Sequence, residues 1–232
     1  MFENFDIIDL THILTPSVPT WNGSCGFCLE CKSDYDRLFR IQKMQLFAGI
    51  GTHLDAPAHR VKGGNCVAAI SLERLIAPAC VVDVSMQAHA DYEVSLADIK
   101  HDEQCHGPIQ KGALVIAYTG WSRFWLDNEA YRNEDNNGQM HFPAFGVPAI
   151  EYLLEKDIAG IAIDTLSPDC LDSTFPVHKL ILEAGKYIVE NVAQCDLLPA
   201  RGAYVMTLPL RAQEATESPV RMVAFIPKKI MS

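Results

Sequence analysis

Short runs of apolar and β-branched residues, each bounded by turn-forming residues, recur along the whole chain and limit the folds open to it. Runs of this kind are typical of β-strands, because branched side chains pack well on a pleated surface. Strands are therefore predicted at residues 7–10, 40–47, 79–84, 113–118, 160–164, 187–190, 203–209 and 220–226. A fold built around a β-sheet follows from this pattern.

Helical patterns are fewer and fall between the predicted strands. Residues 147–155 carry a proline in the first turn and apolar residues on one face, which predicts a helix. Ser95 followed by Asp98 resembles a capping box and predicts a second helix. Residues 121–126 are predicted as a third, short helix, and residues 165–177, with two prolines and two aspartates, as a loop. Strands alternating with a few helices indicate the α/β fold class.

The 232-residue chain shows no repeat, low-complexity tract or linker, so residues 1–232 are expected to form a single domain. Apolar residues make up 49% and charged residues 21% of the chain, as in an ordinary globular protein. Its longest apolar runs, such as 113–118 and 158–163, are far too short to span a membrane, and its first residues do not resemble a secretory signal. We expect a cytoplasmic protein without a membrane partner.

The net charge is −10, from 19 Lys and Arg residues against 29 Asp and Glu residues. A chain of this charge repels nucleic-acid phosphates, and no run of basic residues offsets that repulsion. Nucleic acid is therefore not expected as a partner. Solubility accounts for most of the acidic excess, although bound cations would also neutralise some of the carboxylates.

Eight cysteines are present, and in a chain without an export signal they are expected to be reduced thiols. Three of them, Cys25, Cys28 and Cys31, have the spacing of half a zinc or iron–sulfur site. A complete site needs a fourth ligand, and no further cysteine pair has this spacing elsewhere in the sequence. The three are interpreted as loop thiols without a ligand role, with a metal role as the alternative.

Residues 49–59, which follow a predicted strand, hold two imidazoles and a carboxylate within seven residues. In an extended chain His53 and Asp55 point to the same side, which makes half of a transition-metal site. Pro57 is expected to prevent a helix here, so that His59 curls back over the site as a proton carrier. The alternative is a turn whose histidines hydrogen-bond to the backbone.

Two further candidates lie far downstream. Glu190 closes the strand predicted at 187–190, where a buried charge is costly unless it is paired or binds a metal. The alternatives are a salt bridge with an arginine for Glu190, and a solvent-facing position at a helix start for His178. Asp164 and Asp169 are interpreted as turn caps, with orientation of His178 as the alternative.

The order of several motifs resembles the cyclase family, a family of metal-dependent amide hydrolases of the kynurenine formamidase and isatin hydrolase type. The central motif is GTHLDAPAH at residues 51–59. The others are DLTH at 9–12, VPTW at 18–21, TGW at 119–121, GIAIDTLSPD at 160–169, PVH at 176–178 and IVEN at 188–191. The resemblance covers most of the chain, and the shared order of the motifs makes it specific.

The resemblance implies a layered α/β fold of the swivelling β/β/α type, with a mixed, partly barrel-like sheet, assembled as a homodimer or homotetramer. It implies a divalent metal, zinc or manganese, bound by His53, Asp55, His178 and Glu190. The implied reaction is hydrolysis of a small amide, an N-formyl arylamine or a cyclic amide. Hydroxide formed on the metal attacks the carbonyl group, and His59 carries the proton.

Aromatic residues are candidates for the wall of a substrate pocket. Trp21 lies in a loop with proline and glycine, where a large aromatic side chain often contacts a ligand or a partner. Trp121 is the second candidate, with packing in the core or at an interface as the alternative. A small molecule with an aromatic ring is the substrate class that such a wall favours.

One position departs from the family pattern. The family usually places a histidine ligand four residues before His53, and this chain has Gly49 there. Three outcomes follow: a single metal held by the other four ligands, a replacement ligand such as His141 or a cysteine, or a weakened site. The first is favoured. The third supports an alternative function, a degenerate, non-catalytic protein that binds a small molecule or a partner on the same fold.

Overall fold

The structure, a computed structural model that describes residues 2–228, is built on one large sheet. The strands are β1 (Phe5–Asp9), β2 (Phe27–Ser33), β3 (Ile41–Leu46), β4 (His53–Asp55), β5 (Ile76–Asp83), β6 (Glu93–Val94), β7 (Leu114–Tyr118), β8 (Ala144–Phe145), β9 (Gly160–Ile163), β10 (Tyr187–Glu190), β11 (Tyr204–Pro209) and β12 (Glu217–Pro227). The helices are α1 (Leu72–Leu75), α2 (Leu96–His106), α3 (Asn128–Arg132), α4 (Val147–Glu155) and α5 (Pro176–Glu183).

The large sheet closes into a barrel. Its strand order is β12-β11-β5-β7-β9-β10-β4, and β4 pairs again with β12, while β1 lies outside the ring on β12. Strands β5, β7, β9 and β10 run parallel, and β4, β11 and β12 are antiparallel to their neighbours. The predicted mixed, partly barrel-like sheet is therefore confirmed. Its closing strand, β4, is only three residues long.

Two apolar layers lie on the two faces of this sheet. On β7, Leu114 and Ile116 join one buried cluster, while Val115 and Ala117 join the other, because successive side chains point to opposite faces. The first cluster fills the barrel, and the second packs against helices α2, α4 and α5. Burial on both faces explains why the predicted strands are continuous apolar runs.

Each predicted strand corresponds to an observed one within a few residues, and the helix at 147–155 is α4. The capping box is present at the start of α2, where the Ser95 and Asp98 side chains each bond the other's backbone N–H. The helix predicted at 121–126 is instead a short 3-10 turn, Trp121–Phe124. The loop predicted at 165–177 ends early, because Pro176 fits the first turn of α5.

The Cys25–Cys31 segment was predicted as a loop, and this was wrong. Residues from Phe27 onwards form β2, which pairs with β3 in a separate two-stranded sheet. The three thiols are free and exposed, and within residues 2–228 they join no group of side chains arranged to hold a metal. None of the helices in that part of the chain has the length and hydropathy that a bilayer crossing requires.

Candidate metal centre

The short closing strand β4 carries the centre of the site. Leu54 packs in the barrel interior, so its neighbours His53 and Asp55 point to the opposite face. In the β-ladder Glu190 of β10 lies directly opposite His53, and Glu217 of β12 lies directly opposite Asp55. Directly opposed residues have their side chains on the same face, about 5 Å apart at Cβ. Three strands thus bring four ionisable side chains to one place.

The four side chains predicted as metal ligands form a buried ring. His53 Nε2 lies 3.2 Å from Glu190 Oε2 and 3.6 Å from Asp55 Oδ1. His178, from the first turn of α5, places its Nε2 atom 3.4 Å from Glu190 Oε1 and 3.5 Å from Asp55 Oδ2. All four residues are buried. The structure therefore brings together residues that the sequence separates widely.

Each of the two imidazoles is oriented by a hydrogen bond at Nδ1, the nitrogen that faces away from the ring of four side chains. His53 Nδ1 donates to the Gly51 carbonyl at 2.8 Å, and His178 Nδ1 donates to Asp169 Oδ2 at 2.8 Å. A hydrogen bond at Nδ1 leaves the Nε2 lone pair of each neutral imidazole directed at the carboxylates. Gly51 has a positive φ of 62°, a conformation that glycine adopts without strain and that a side chain would disfavour.

Asp169 fulfils both roles weighed for it from the sequence. Its carboxylate accepts from the backbone N–H groups of Val177 and His178 in the first turn of α5, and also from the His178 ring. Asp164, by contrast, accepts from the hydroxyl and the N–H of Thr119 and does not hydrogen-bond to the His178 imidazole. Burial raises the pKa of Asp164.

The donor set fits a divalent metal ion. Asp55 Oδ1 is buried and has no hydrogen-bond partner among residues 2–228, and a buried carboxylate oxygen without a hydrogen bond is costly unless a cation binds it. Two groups of potential ligand atoms share Asp55, one with His59 and His178 and the other with His53 and Glu217. Within each group the atoms lie within 4.8 Å of one another. Imidazole nitrogens combined with carboxylate oxygens are ligands for zinc and manganese.

The electrostatics of the ring show how strongly it attracts positive charge. Burial lowers the pKa of His53, but Asp55 and Glu190 outweigh burial and raise it to about 10. Burial likewise lowers the pKa of His178, and Asp169, Asp55 and Glu190 raise it to about 12. Burial raises the pKa of Glu190, but the two imidazoles keep it below its ordinary value. In the cation-free protein both imidazoles therefore carry protons at neutral pH.

His59 lies beside the ring, as predicted, because no α-helix follows Asp55 and the chain turns after β4. Pro57 begins a short 3-10 turn that ends at His59 and places this imidazole against Asp55 and His178. His59 Nδ1 lies 3.4 Å from Glu217 Oε2, and the hydrogen bond to Glu217 raises the pKa of His59 despite partial burial. The ring of His59 is partly exposed, so it sits between the buried cluster and solvent.

A cavity of about 380 Å³ opens above the ring, and the ring residues and His59 line it. Trp21, half-exposed, lines the same cavity and contacts Phe175 with ring centroids 5.7 Å apart. Trp121 does not line it. Its indole is buried in an aromatic cluster and donates to the Tyr131 carbonyl at 2.9 Å. The prediction that Trp121 lines the substrate pocket is therefore wrong, and this side chain packs in the core.

The guesses for a replacement ligand are wrong. His141 pairs with Asp91 and Asp135 instead, and no cysteine lines the cavity. The side chain beside Gly49 is that of Glu217. The sequence does not indicate it, because only the β4–β12 register brings Glu217 near Asp55. Asn191 was also missed as a positioning residue, although it stands in the IVEN motif, and its amide donates to the Gly51 carbonyl at 2.9 Å.

A model of the Cyclase family matches residues 8–170, which is more than half of the chain. The chain belongs to this family. The resemblance inferred from the motifs is thus confirmed.

Relatives described as isatin hydrolase or kynurenine formamidase support the same assignment. An isatin hydrolase from Roseibium aggregatum is 33% identical over 244 residues, covering 96% of this chain and 92% of the relative. A kynurenine formamidase from Bacillus cytotoxicus is 26% identical over 219 residues, covering 93% of this chain and 95% of the relative. The solved structure of isatin hydrolase A from Ralstonia solanacearum gives a TM-score of 0.90 at 31% identity, covering 97% of this chain and 93% of that one.

Asp169→Asn is expected to weaken Zn²⁺ or Mn²⁺ binding about tenfold to a hundredfold, because the acceptor that orients His178 is weakened. Titration calorimetry measures the affinity. Asp172→Asn is the matched control, since Asp172 is exposed and, among residues 2–228, its carboxylate accepts from Thr174 and contacts no residue of the ring. Equal affinities for the Asp169 variant and the wild type would contradict this role.

Cation binding is expected to release about two protons at neutral pH, because protonated His53 and His178 must lose their protons to become ligands. Both pKa values are raised, so protons compete with the cation for the two imidazole nitrogens at neutral pH. This competition weakens as the pH rises, and the affinity for the cation therefore increases with pH. Calorimetry in two buffers with different ionisation enthalpies counts the released protons. An affinity that is constant between about pH 6 and pH 8, with no proton release, would disprove this electrostatic account.

Proposed function

We propose that this Cyclase-family chain is a metal-dependent hydrolase that cleaves the C–N bond of a small amide, an N-formyl arylamine or a cyclic amide, in the manner of an arylformamidase. The observation that carries the proposal is the buried ring of two imidazoles and two carboxylates at the base of a cavity, in which Asp55 Oδ1 has no hydrogen-bond partner among residues 2–228. Relatives named isatin hydrolase and kynurenine formamidase support the substrate class.

His53, Asp55, His178 and Glu190 are proposed to hold one divalent cation, zinc or manganese. When bound, such a cation supplies Lewis-acid chemistry, polarising a carbonyl and lowering the pKa of water. The two imidazoles are held in place by Gly51 and Asp169 through Nδ1, as their hydrogen bonds indicate. This support keeps the ligand atoms in position before a substrate enters.

His59 is proposed as the residue that moves protons. Its Nδ1 atom faces Glu217, which leaves Nε2 to accept the proton of the attacking water and to return it to the leaving nitrogen. Its position supports this role, because it lines the cavity beside the ring and remains partly exposed to solvent. An imidazole near its titration range is suited to both transfers.

The upper part of the cavity is proposed to bind the apolar part of the substrate. Trp21 and Phe175 present aromatic faces there, and Arg60 adds a positive charge to the lining. A volume near 380 Å³ lies at the lower end of the range for small-molecule sites, about 300 to 1,000 Å³. A substrate with one aromatic ring beside its amide bond fits these dimensions.

The remaining proposals concern the whole molecule. We propose a single domain over residues 1–232, a cytoplasmic location, and a homodimer or homotetramer. Exposed apolar side chains concentrated around β2 and β3 support self-association, because large exposed apolar patches mark contact surfaces. They are Leu29, Tyr35, Leu38, Phe39, Ile41, Met44 and Phe47.

The second candidate function is a degenerate protein that binds a small molecule or partner without catalysis. Gly49, at the position of a family ligand, is the observation in its favour. The buried ring of four other candidate ligands and the named hydrolases among the relatives favour catalysis instead. Activity of the wild-type chain decides between the two.

Purified protein is expected to contain zinc or manganese in stoichiometric amount and to hydrolyse N-formylkynurenine or isatin, with activity lost on chelation. Asp55→Ala and His178→Ala should each reduce the activity and the metal content by at least about a hundredfold, since each removes a ligand of the ring. Metal analysis and a spectrophotometric assay measure the two effects. Cys28→Ser is the control and should retain both. Protein without bound metal, indifferent to chelator, would refute the proposal.

A further inference from the structure

The feature that sets Gly49 apart is the side chain that fills the space beside it, and not its backbone conformation. Its φ lies outside the left-handed range in which glycine is favoured over other residues. A Cβ atom at this position would lie 2.3 Å from Glu217 Oε1 and 3.4 Å from His53 Nε2. The first distance is far below van der Waals contact. The carboxylate of Glu217 therefore occupies the space into which a side chain at position 49 would project.

Glu217 reaches the ring because of the β-ladder. It lies directly opposite Asp55 across β4 and β12, and a carboxylate oxygen of Glu217 groups with ligand atoms of His53 and Asp55 within 4.8 Å. Its side chain is 25% exposed, and its one ion-pair partner among residues 2–228 is His59. Neither a lysine nor an arginine in that range neutralises it.

A second observation, the Asp55 oxygen without a hydrogen bond, also indicates a cation site near Glu217. Asp55 Oδ1 is 3.6 Å from His53 Nε2, the ligand atoms of His53 and Asp55 group with a Glu217 oxygen within 4.8 Å, and Asp55 is 1% exposed. Two carboxylates and an imidazole converge there with an unsatisfied oxygen. A cation at this position would satisfy that oxygen and offset the repulsion between the carboxylates.

We propose that Glu217 is a metal ligand that replaces the histidine missing at position 49, binding a divalent cation together with His53 and Asp55. The inference rests on the proposed function, because it assigns a further ligand to the same centre. Gly49 and Glu217 form a matched pair, since the Glu217 carboxylate, as placed here, lies where the Cβ atom of a side chain at position 49 would be. An oxygen ligand in place of a nitrogen ligand favours manganese over zinc.

Calorimetry with Mn²⁺ and Zn²⁺ on full-length protein, with Mn²⁺ electron paramagnetic resonance as a second readout, tests the proposal. Glu217→Gln keeps the shape of the side chain and should weaken Mn²⁺ binding at least about tenfold, with a smaller loss for Zn²⁺. Glu214→Gln is the matched control, an exposed glutamate in the segment before β12, and should bind as the wild type does.

A double-mutant cycle tests the pairing of the two positions. Gly49→His alone should weaken cation binding, because the new side chain meets Glu217, and Glu217→Gly alone should weaken it by loss of the ligand. The combination Gly49→His with Glu217→Gly should recover affinity beyond the sum of the single effects and shift the preference towards Zn²⁺. Circular dichroism verifies that each variant is folded.

The outcomes separate this proposal from the proposed function. If Glu217→Gln binds Mn²⁺ like the wild type while His178→Ala does not, the ring holds the metal and Glu217 is not a ligand. If Glu217→Gln changes only the pH profile of hydrolysis, Glu217 acts through His59, and the ligand assignment is again overturned. If Asp55→Ala and His178→Ala bind as the wild type does, the proposed function itself fails.

Discussion

The buried carboxylate of Asp55 determines what the residues around it must supply. It lies on the strand that closes the barrel, within ion-pair distance of His53 and His178, and one of its oxygens has no hydrogen-bond partner. A carboxylate removed from water is costly unless hydrogen bonds or positive charge compensate it. Protons on the two imidazoles supply that charge in the cation-free state. A divalent cation bound by the same atoms supplies it in the proposed active state.

Much of the fold and most of the candidate site could be predicted from the sequence, because their signals are local. The apolar run that forms β7 lies in one continuous segment, and so does the pair His53 and Asp55 with its period of two. Glu217 has no such signal. It is a single glutamate whose importance arises from its register opposite Asp55, and a non-local strand pairing of this kind is not visible in a short motif.

Other differences also have physical causes. Trp121 stands in a motif of the family, but its indole N–H finds its partner in the buried Tyr131 carbonyl, so the side chain serves packing. Pro57 was expected to keep this segment out of an α-helix, and no α-helix forms there; the sequence did not show that Pro57 also begins the short 3-10 turn that delivers His59. In both cases tertiary surroundings decided between alternatives that the residue type left open.

In the sequence, Gly49 is a departure from the family pattern, because it stands where a histidine ligand is usual. Its surroundings give it a different meaning, because the space that it leaves is filled by a carboxylate from a distant strand. A site can thus exchange a nitrogen ligand for an oxygen ligand by two coordinated changes. Such an exchange would adjust the metal preference while leaving the fold and His59, the proposed proton carrier, in place.

The most direct test of the central claim is an anomalous-difference map from crystals of this protein soaked with Mn²⁺. The account predicts a strong peak inside the ring, in contact with His53, Asp55, His178 and Glu190. Peaks that lie only at exposed residues such as Cys25, Cys28 and Cys31, with none inside the ring, would contradict it.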